Sequence, residues 1–358
     1  MNTKRRSVIK LAGSAAVVAS TGMAGILASG RTPAFAQQKT VHWLKWVDFV
    51  PATDQMFNKE MMPAAEKALG MKIKLETVNA NDLQPRITSA IQSGAGPDII
   101  MSLNSYTHLY ANSVVDVSEI AEDIGKREGG LYKYARAICS DGKTVVINSK
   151  ATVDSVKFMT ALWKEGMDEG GLAWDDTNNN RAFLSQTISA TLNGASIYIE
   201  SLRKPDQYKT EKGAPLNTDI LHAPLPKGPA GQFGFHLLQS NMLMKYSKNQ
   251  DAAKEFLKYL HTEANYRKFF ESQKGFATPC TAKWESDKLW DVDPVMTPYK
   301  VAAKLGQAPG FAGPPNAKAQ EGLSKYIITD MYAKAVQGMP AEDSVKWAES
   351  ELKKIYSA

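Results

Sequence analysis

The chain has 358 residues, 43% of them hydrophobic, with 43 Lys+Arg against 37 Asp+Glu and a formal charge of +6. This globular composition excludes a disordered chain, a collagen-like repeat and a multi-span membrane protein. The length suits two domains, because single hydrophobic cores stop growing at roughly 250–300 residues.

The positive charge is concentrated at the start. Residues 1–36 carry Lys4, Arg5, Arg6, Lys10 and Arg31 and no acidic residue, which leaves 38 basic against 37 acidic in the remainder. A basic start, an Ala/Val/Gly-rich run from Leu11 to Ala28 and Ala34-Phe35-Ala36 are the three parts of a secretory signal, with cleavage expected after Ala36. The Arg5-Arg6 pair ahead of a weakly apolar stretch resembles a twin-arginine signal, although Val8 stands where phenylalanine is usual. The run is too short and too rich in Gly, Ser and Ala to favour spanning a bilayer of about 30 Å. With that segment removed, the chain loses the basic excess that would support nucleic-acid binding.

In the mature chain, Thr40–Val47 alternates as a strand, Pro51–Leu69 has helical spacing and stops at Gly70, and Met71–Val78 reads as a second strand. Asn81-Asp82 offers caps for a helix through Ile91, ended by Ser93-Gly94-Ala95-Gly96-Pro97, and Asp98–Met101 reads as a short buried strand. Strand, helix, strand, helix, strand predicts a doubly wound α/β lobe. Further on, the pattern predicts a strand over Thr144–Asn148, helices over Thr152–Glu165 and Arg181–Leu192, and strands over Ala195–Ile199 and Asp219–Pro226. An amphipathic stretch covers Gln250–Phe270, and helices over Leu323–Val336 and Ala341–Tyr356 close the chain. Pro226–Gly234 and Pro309–Pro315 are candidate crossings between lobes.

Catalytic patterns are missing. There is no G-x-S-x-G elbow, no H-E-x-x-H, no phosphate loop and no G-x-G-x-x-G after a strand. His42, His108, His222, His236 and His261 are widely spaced, so no metal-ligand spacing arises. Asp176, Asn178 and Asn180 imitate the start of a calcium loop, but Arg181 and Thr187 stand where Gly and Glu are required. No catalytic residue, metal or cofactor is therefore expected, and a binder is the simpler reading of two exported α/β lobes. Trp43 and Trp46 lie three apart on the first strand and face opposite sides. That spacing predicts one core ring and one ring available at the strand's carboxyl end, where open α/β sheets bind ligands; the alternative buries both.

Four segments carry a family resemblance: Ser93–Ile100, Ala223–Pro229, Ser247–Leu257 and Met331–Leu352. In order and spacing the chain resembles the extracellular solute-binding proteins of sugar-type ABC importers, the group similar to maltose-binding protein. The resemblance implies a two-lobed α/β periplasmic-binding-protein-like fold that closes on one ligand. It implies lobe one at 37–138 plus 227–293 and lobe two at 144–226 plus 310–358. It places ligand contacts at Trp46 and Asp48, at Asn104, Ser105 and Tyr106, at Glu200 and Ser201, and at Phe235, His236 and Ser240. Trp46 and Phe235 would stack on a sugar ring; Asp48, Asn104, Glu200 and His236 would hydrogen-bond its hydroxyls. The implied partners are a carbohydrate or polyol, the ABC permease and the export machinery, for a monomer in the periplasm. No lipid-attachment cysteine follows the signal; Cys139 and Cys280 either form a disulfide or remain separate thiols.

The chain departs from this family in one place. Relatives continue from their first Asp-Gly-Lys through a crossing strand, a strand with a Tyr-Arg pair and a helix opening Thr-Trp-Asp-Glu before a second such turn. Here Asp141-Gly142-Lys143 runs straight into Thr144–Ser149, which implies a deletion at 139–143 that leaves lobe two incomplete. Intact relatives matching without a break through this junction would overturn that expectation. The rival readings are an exported glycan-active or esterase-like hydrolase, and a remnant that no longer binds.

Overall fold

The computed structural model describes residues 39–104, 106–130, 147–228, 231–235, 237–278, 280–300, 302–307 and 316–357. The signal residues Arg5, Arg6, Ala34 and Ala36, together with Ser105, Cys139, the 139–143 junction and His236, lie outside them.

Strand β1 (Thr40–Trp46) is followed by a helical run of α1 (Pro51–Met56), a π-type turn (Phe57–Met61) and α2 (Met62–Leu69). Gly70 closes the run at φ 63°, a left-handed conformation that glycine adopts without a Cβ penalty. Strand β2 (Lys72–Val78), helix α3 (Ala80–Ser93) and strand β3 (Ile99–Leu103) complete the alternation. The short α4 (Tyr106–Leu109) and α5 (Ser118–Arg127) come next. The next described helices are α6 (Lys150–Gly166), α7 (Asn178–Leu184) and α8 (Ser196–Arg203). Then come β4 (Gly234–Phe235), β5 (Gln239–Leu243), α9 (Gln250–Leu260) and α10 (Glu263–Gln273). The rest is α11 (Leu289–Val292), α12 (Thr297–Lys300), α13 (Ala302–Leu305), β6 (Gly306–Gln307), α14 (Ala317–Ser324), α15 (Ile327–Val336) and α16 (Ala341–Ser357).

The main sheet has the order β2-β1-β3-β5, with β1 parallel to both neighbours and β5 antiparallel to β3. Helices from both sides bury it. Trp43 meets Phe57 and Phe256 edge to face at centroid distances of 5.3 and 5.6 Å, and Leu83 and Ile87 of α3 complete this core. β4 and β6 form a separate two-stranded parallel ribbon.

Two motifs of the resemblance have a physical basis here. Asp98 is buried and accepts from the His42 backbone N–H at 2.8 Å, the Ser247 hydroxyl at 2.5 Å and the Asn249 amide at 3.3 Å, so it ties β1 to the turn before α9. Gly96 sits at φ 147°, and a Cβ there would lie 2.9 Å from the Ala90 Cβ.

The second half differs from the sequence reading. Ala195–Ile199 was expected as a strand but leads into helix α8. Its buried Ile197, Tyr198 and Ile199 pack with Leu216, Ile220 and Met296, and among the described residues no strand borders this cluster. A helix pairs its own backbone groups, which an isolated strand in an apolar cluster cannot do. Asp219–Pro226, expected as a strand, is irregular after a 3₁₀ turn, and Leu221 is exposed. Of Thr144–Asn148 only Ile147 and Asn148 are described, and neither is in a strand. The helix expected over Arg181–Leu192 stops at Leu184, just before Gln186 at φ 61°. The Gln250–Phe270 stretch breaks into two helices around His261-Thr262. A further cluster is all-helical: Val156 of α6 packs with Ile327, Met331 and Ala335 of α15 and Val345, Ala348 and Ile355 of α16.

Candidate functional site

The register that sets Trp43 beside Ile99 and Leu44 beside Ile100 brings the carboxyl ends of β1 and β3 side by side. That edge is where open α/β sheets present ligand-binding loops. The loop after β1 leaves the main core quickly: Phe49 packs on Trp46 at 4.7 Å and on Phe276 at 6.3 Å, and Val50 joins the cluster around α8.

Beneath this loop is a buried polar network. The Lys45 ammonium, although on a side chain only 1% exposed, is paired with the Asp54 carboxylate and donates to the Trp46 carbonyl at 2.9 Å. Asp54 also accepts the Asp48 backbone N–H at 2.9 Å. Asp48 accepts from the Val50 N–H at 2.8 Å and from the Gln273 amide at 3.0 Å. Burial pushes the Asp48 carboxyl above its ordinary range, an effect that the Lys45 charge opposes. The same Gln273 nitrogen donates to the Thr53 hydroxyl at 2.7 Å, and that hydroxyl lies 3.2 Å from Ser272. From α8, Arg203 donates to the Ser272 carbonyl. Burial holds its guanidinium below the ordinary arginine range, while Glu200 and Asp48 favour its charge.

At the end of β3, Asn104 is buried at φ 49° and its N–H donates to the Leu238 carbonyl at 2.7 Å. Its side-chain oxygen, the Thr107 hydroxyl and the His108 Nε2 are buried without partners among the described residues. Burial pushes the His108 imidazole down and the Tyr106 hydroxyl up. Asn104 directly follows β3, and Thr107 and His108 stand on α4 just after it.

Of the expected contact residues, Asp48, Asn104 and Tyr106 are buried at this edge, and Ser240 pairs its hydroxyl with that of Ser102 at 2.7 Å across β5 and β3. Trp46 differs from expectation: it and Trp43 are both only 1% exposed, because Phe49 covers the second ring. Glu200 is paired with Lys204 at 2.6 Å, and Ser201 is buried and donates to the Tyr198 carbonyl at 2.9 Å. The Phe235 backbone lies in the separate ribbon with β6. Cys280, the other half of the suggested disulfide, is partly buried. Sequence reasoning missed Lys45, Arg203 and Gln273. A lysine in an alternating strand and polar residues near helix ends read as solvated positions, and only the three-dimensional packing encloses them. Among the described residues no group of three His, Cys, Asp or Glu side chains could hold a metal ion, and no helix is long and apolar enough to cross a membrane. Clefts of about 220 and 230 Å³ lie elsewhere, among α14–α16 and between α5 and α9.

Residues 48–267 match the family model for bacterial extracellular solute-binding proteins. No curated protein matches the chain by sequence. Solved structures match over 88–89% of the chain. An ABC transporter solute-binding protein from Thermotoga lettingae bound with α-D-tagatose is similar at a TM-score of 0.70 and 13% identity, over 100% of its length. Maltose-bound MalE3 of T. maritima is similar at 0.66 and 16%, over 99% of its length. MalX of Streptococcus pneumoniae with maltopentaose is similar at 0.65 and 13%, over 100% of its length. At these identities the likeness shows the fold, a mixed α/β periplasmic-binding-protein-like architecture.

Proposed function

The chain belongs to the bacterial extracellular solute-binding proteins, and from that premise we propose that it captures a sugar or polyol and delivers it to the permease of an ABC importer. The observation that carries this reading is the set of hydrogen-bonding groups on Asn104, Thr107 and His108, at and just after the carboxyl end of β3, that are buried without partners among the described residues. Such groups suit hydroxyls, which donate and accept together. Similar folds solved with α-D-tagatose, maltose and ribitol support the same solute class. The division into lobes 37–138 plus 227–293 and 144–226 plus 310–358 belongs to this proposal, with the β1 and β3 ends contributing from the first and α8 from the second. So do export through the Arg5-Arg6 signal, cleavage after Ala36, action as a monomer in the periplasm, and the reading of the chain as a binder rather than a catalyst.

A thermal-shift screen of the chain from Gln37 onward, against maltose, D-tagatose and ribitol, tests the proposal. A bound solute at 100 times its dissociation constant stabilises by about 2.7 kcal/mol, so at least one compound raises the midpoint in proportion to its logarithmic concentration. No shift with any neutral sugar or polyol, or steady consumption of one of them, refutes it.

A further inference from the structure

Gln273 ends α10 and is only 1% exposed, and its amide has one orientation that fits its surroundings. The nitrogen faces two acceptors, the Asp48 carboxylate at 3.0 Å and the Thr53 oxygen at 2.7 Å, so the NH₂ group belongs there and the amide oxygen is left over. That oxygen has no partner among the described residues. Arg203, at the end of α8, reaches the carbonyl of the adjacent Ser272 with one guanidinium nitrogen, and its other terminal nitrogen is buried and unpartnered among the described residues. A spare acceptor and a spare donor thus stand on two groups joined through consecutive residues of α10. A buried donor or acceptor left unpaired is costly, which gives both a reason to take an outside partner.

Resting on the proposed solute-binding role, we propose that Arg203 and Gln273 form a hydroxyl-reading pair that selects neutral polyhydroxy solutes over sugar acids and amino sugars. The argument is one of valence. The spare Arg203 N–H needs an acceptor and the spare Gln273 oxygen needs a donor. A hydroxyl is both; a carboxylate only accepts, and an ammonium only donates. Glu200 and Asp48 favour the charged form of the guanidinium, so its N–H groups stay donors toward a hydroxyl oxygen. A site built to hydrogen-bond a hydroxyl discriminates strongly because its own polar groups stay unpaired with the wrong solute.

The test is calorimetric titration of maltose, D-tagatose, ribitol, D-glucuronate and D-glucosamine into the wild-type chain and into Gln273→Leu and Arg203→Met, each checked for a cooperative thermal transition. Arg203→Lys and Gln273→Asn replace any variant that fails this check. The pair predicts that a neutral compound binds the wild type, that each variant weakens it at least tenfold, and that the acid and the amine bind at least tenfold more weakly than the neutral compound. Neutral binding that survives within threefold in both variants overturns the pair and leaves the solute-binding role standing. Preference for glucuronate or glucosamine overturns the selectivity. If none of the compounds binds the wild type, the role and the pair fall together.

Discussion

Replacing Asp98 by alanine removes the junction between β1 and the turn before α9. The carboxylate accepts from the His42 N–H at 2.8 Å and the Ser247 hydroxyl at 2.5 Å, with the Asn249 amide at 3.3 Å as a weaker third partner. Alanine leaves the two shorter donors unsatisfied beside a buried strand. At roughly 1–3 kcal/mol for each orphaned buried donor, the loss is about 3–4 kcal/mol. Large domains shift by about 2 °C or more per kcal/mol, so the thermal midpoint falls by about 6–8 °C. Asp98→Asn keeps the shape and one acceptor oxygen, and loses about half as much. Differential scanning calorimetry of the three proteins reads this directly. A midpoint for Asp98→Ala within 2 °C of wild type refutes the claim that this side chain joins strand and turn.

Gly96→Ala forces a Cβ to 2.9 Å from the Ala90 Cβ at a φ of 147°, and urea unfolding should show a loss of about 1–3 kcal/mol. Trp43→Ala empties the space between Phe57 and Phe256 and should cost about 3–5 kcal/mol in the same assay. Asp48 gives a pH signature. Burial raises its folded pKa, so the native chain holds this proton to higher pH than the unfolded chain. Its contribution therefore favours folding at low pH and is lost as pH rises from about 4, the ordinary aspartate value, through the folded pKa. Asp48→Asn removes that slope, so its stability relative to wild type should improve between pH 4 and pH 7; a constant difference across that range contradicts the assignment. For export, mass spectrometry of the protein recovered from the periplasm should find Gln37 at the N-terminus, and Arg5→Lys with Arg6→Lys should abolish its appearance there.

The segment from Thr40 to Leu103 was legible because its signals are local. Alternation in Thr40–Trp46, the left-handed Gly70 stop and the buried run after Pro97-Asp98 each fix an element without knowledge of its neighbours. The Ala195 segment was not, because a short apolar run fits strand or helix equally and its neighbours decide. Here those neighbours are Leu216, Ile220 and Met296 rather than a strand. Of the expected contact residues, Asp48 and Asn104 lie buried at the carboxyl edge of the main sheet. Asp48 and Asn104 follow strands, and strand ends can be read. Trp46 was expected on the open face, but Phe49, three residues on, folds back over it. Gln273 and Arg203 carry no sequence signal, since burial of a polar helix end depends on what distant segments lay over it, as where Arg203 meets the Ser272 carbonyl.

The carboxyl edge of the main sheet is proposed to bind one neutral solute through groups that have no other partner among the described residues. Isothermal titration of wild type and Asn104→Ala with whichever of maltose, D-tagatose or ribitol shifts the midpoint most tests it directly. One site per chain and at least tenfold weaker binding in the variant are expected, because the solute loses the buried Asn104 oxygen as its partner. Equal affinity in the two proteins, or no binding by the wild type, contradicts it.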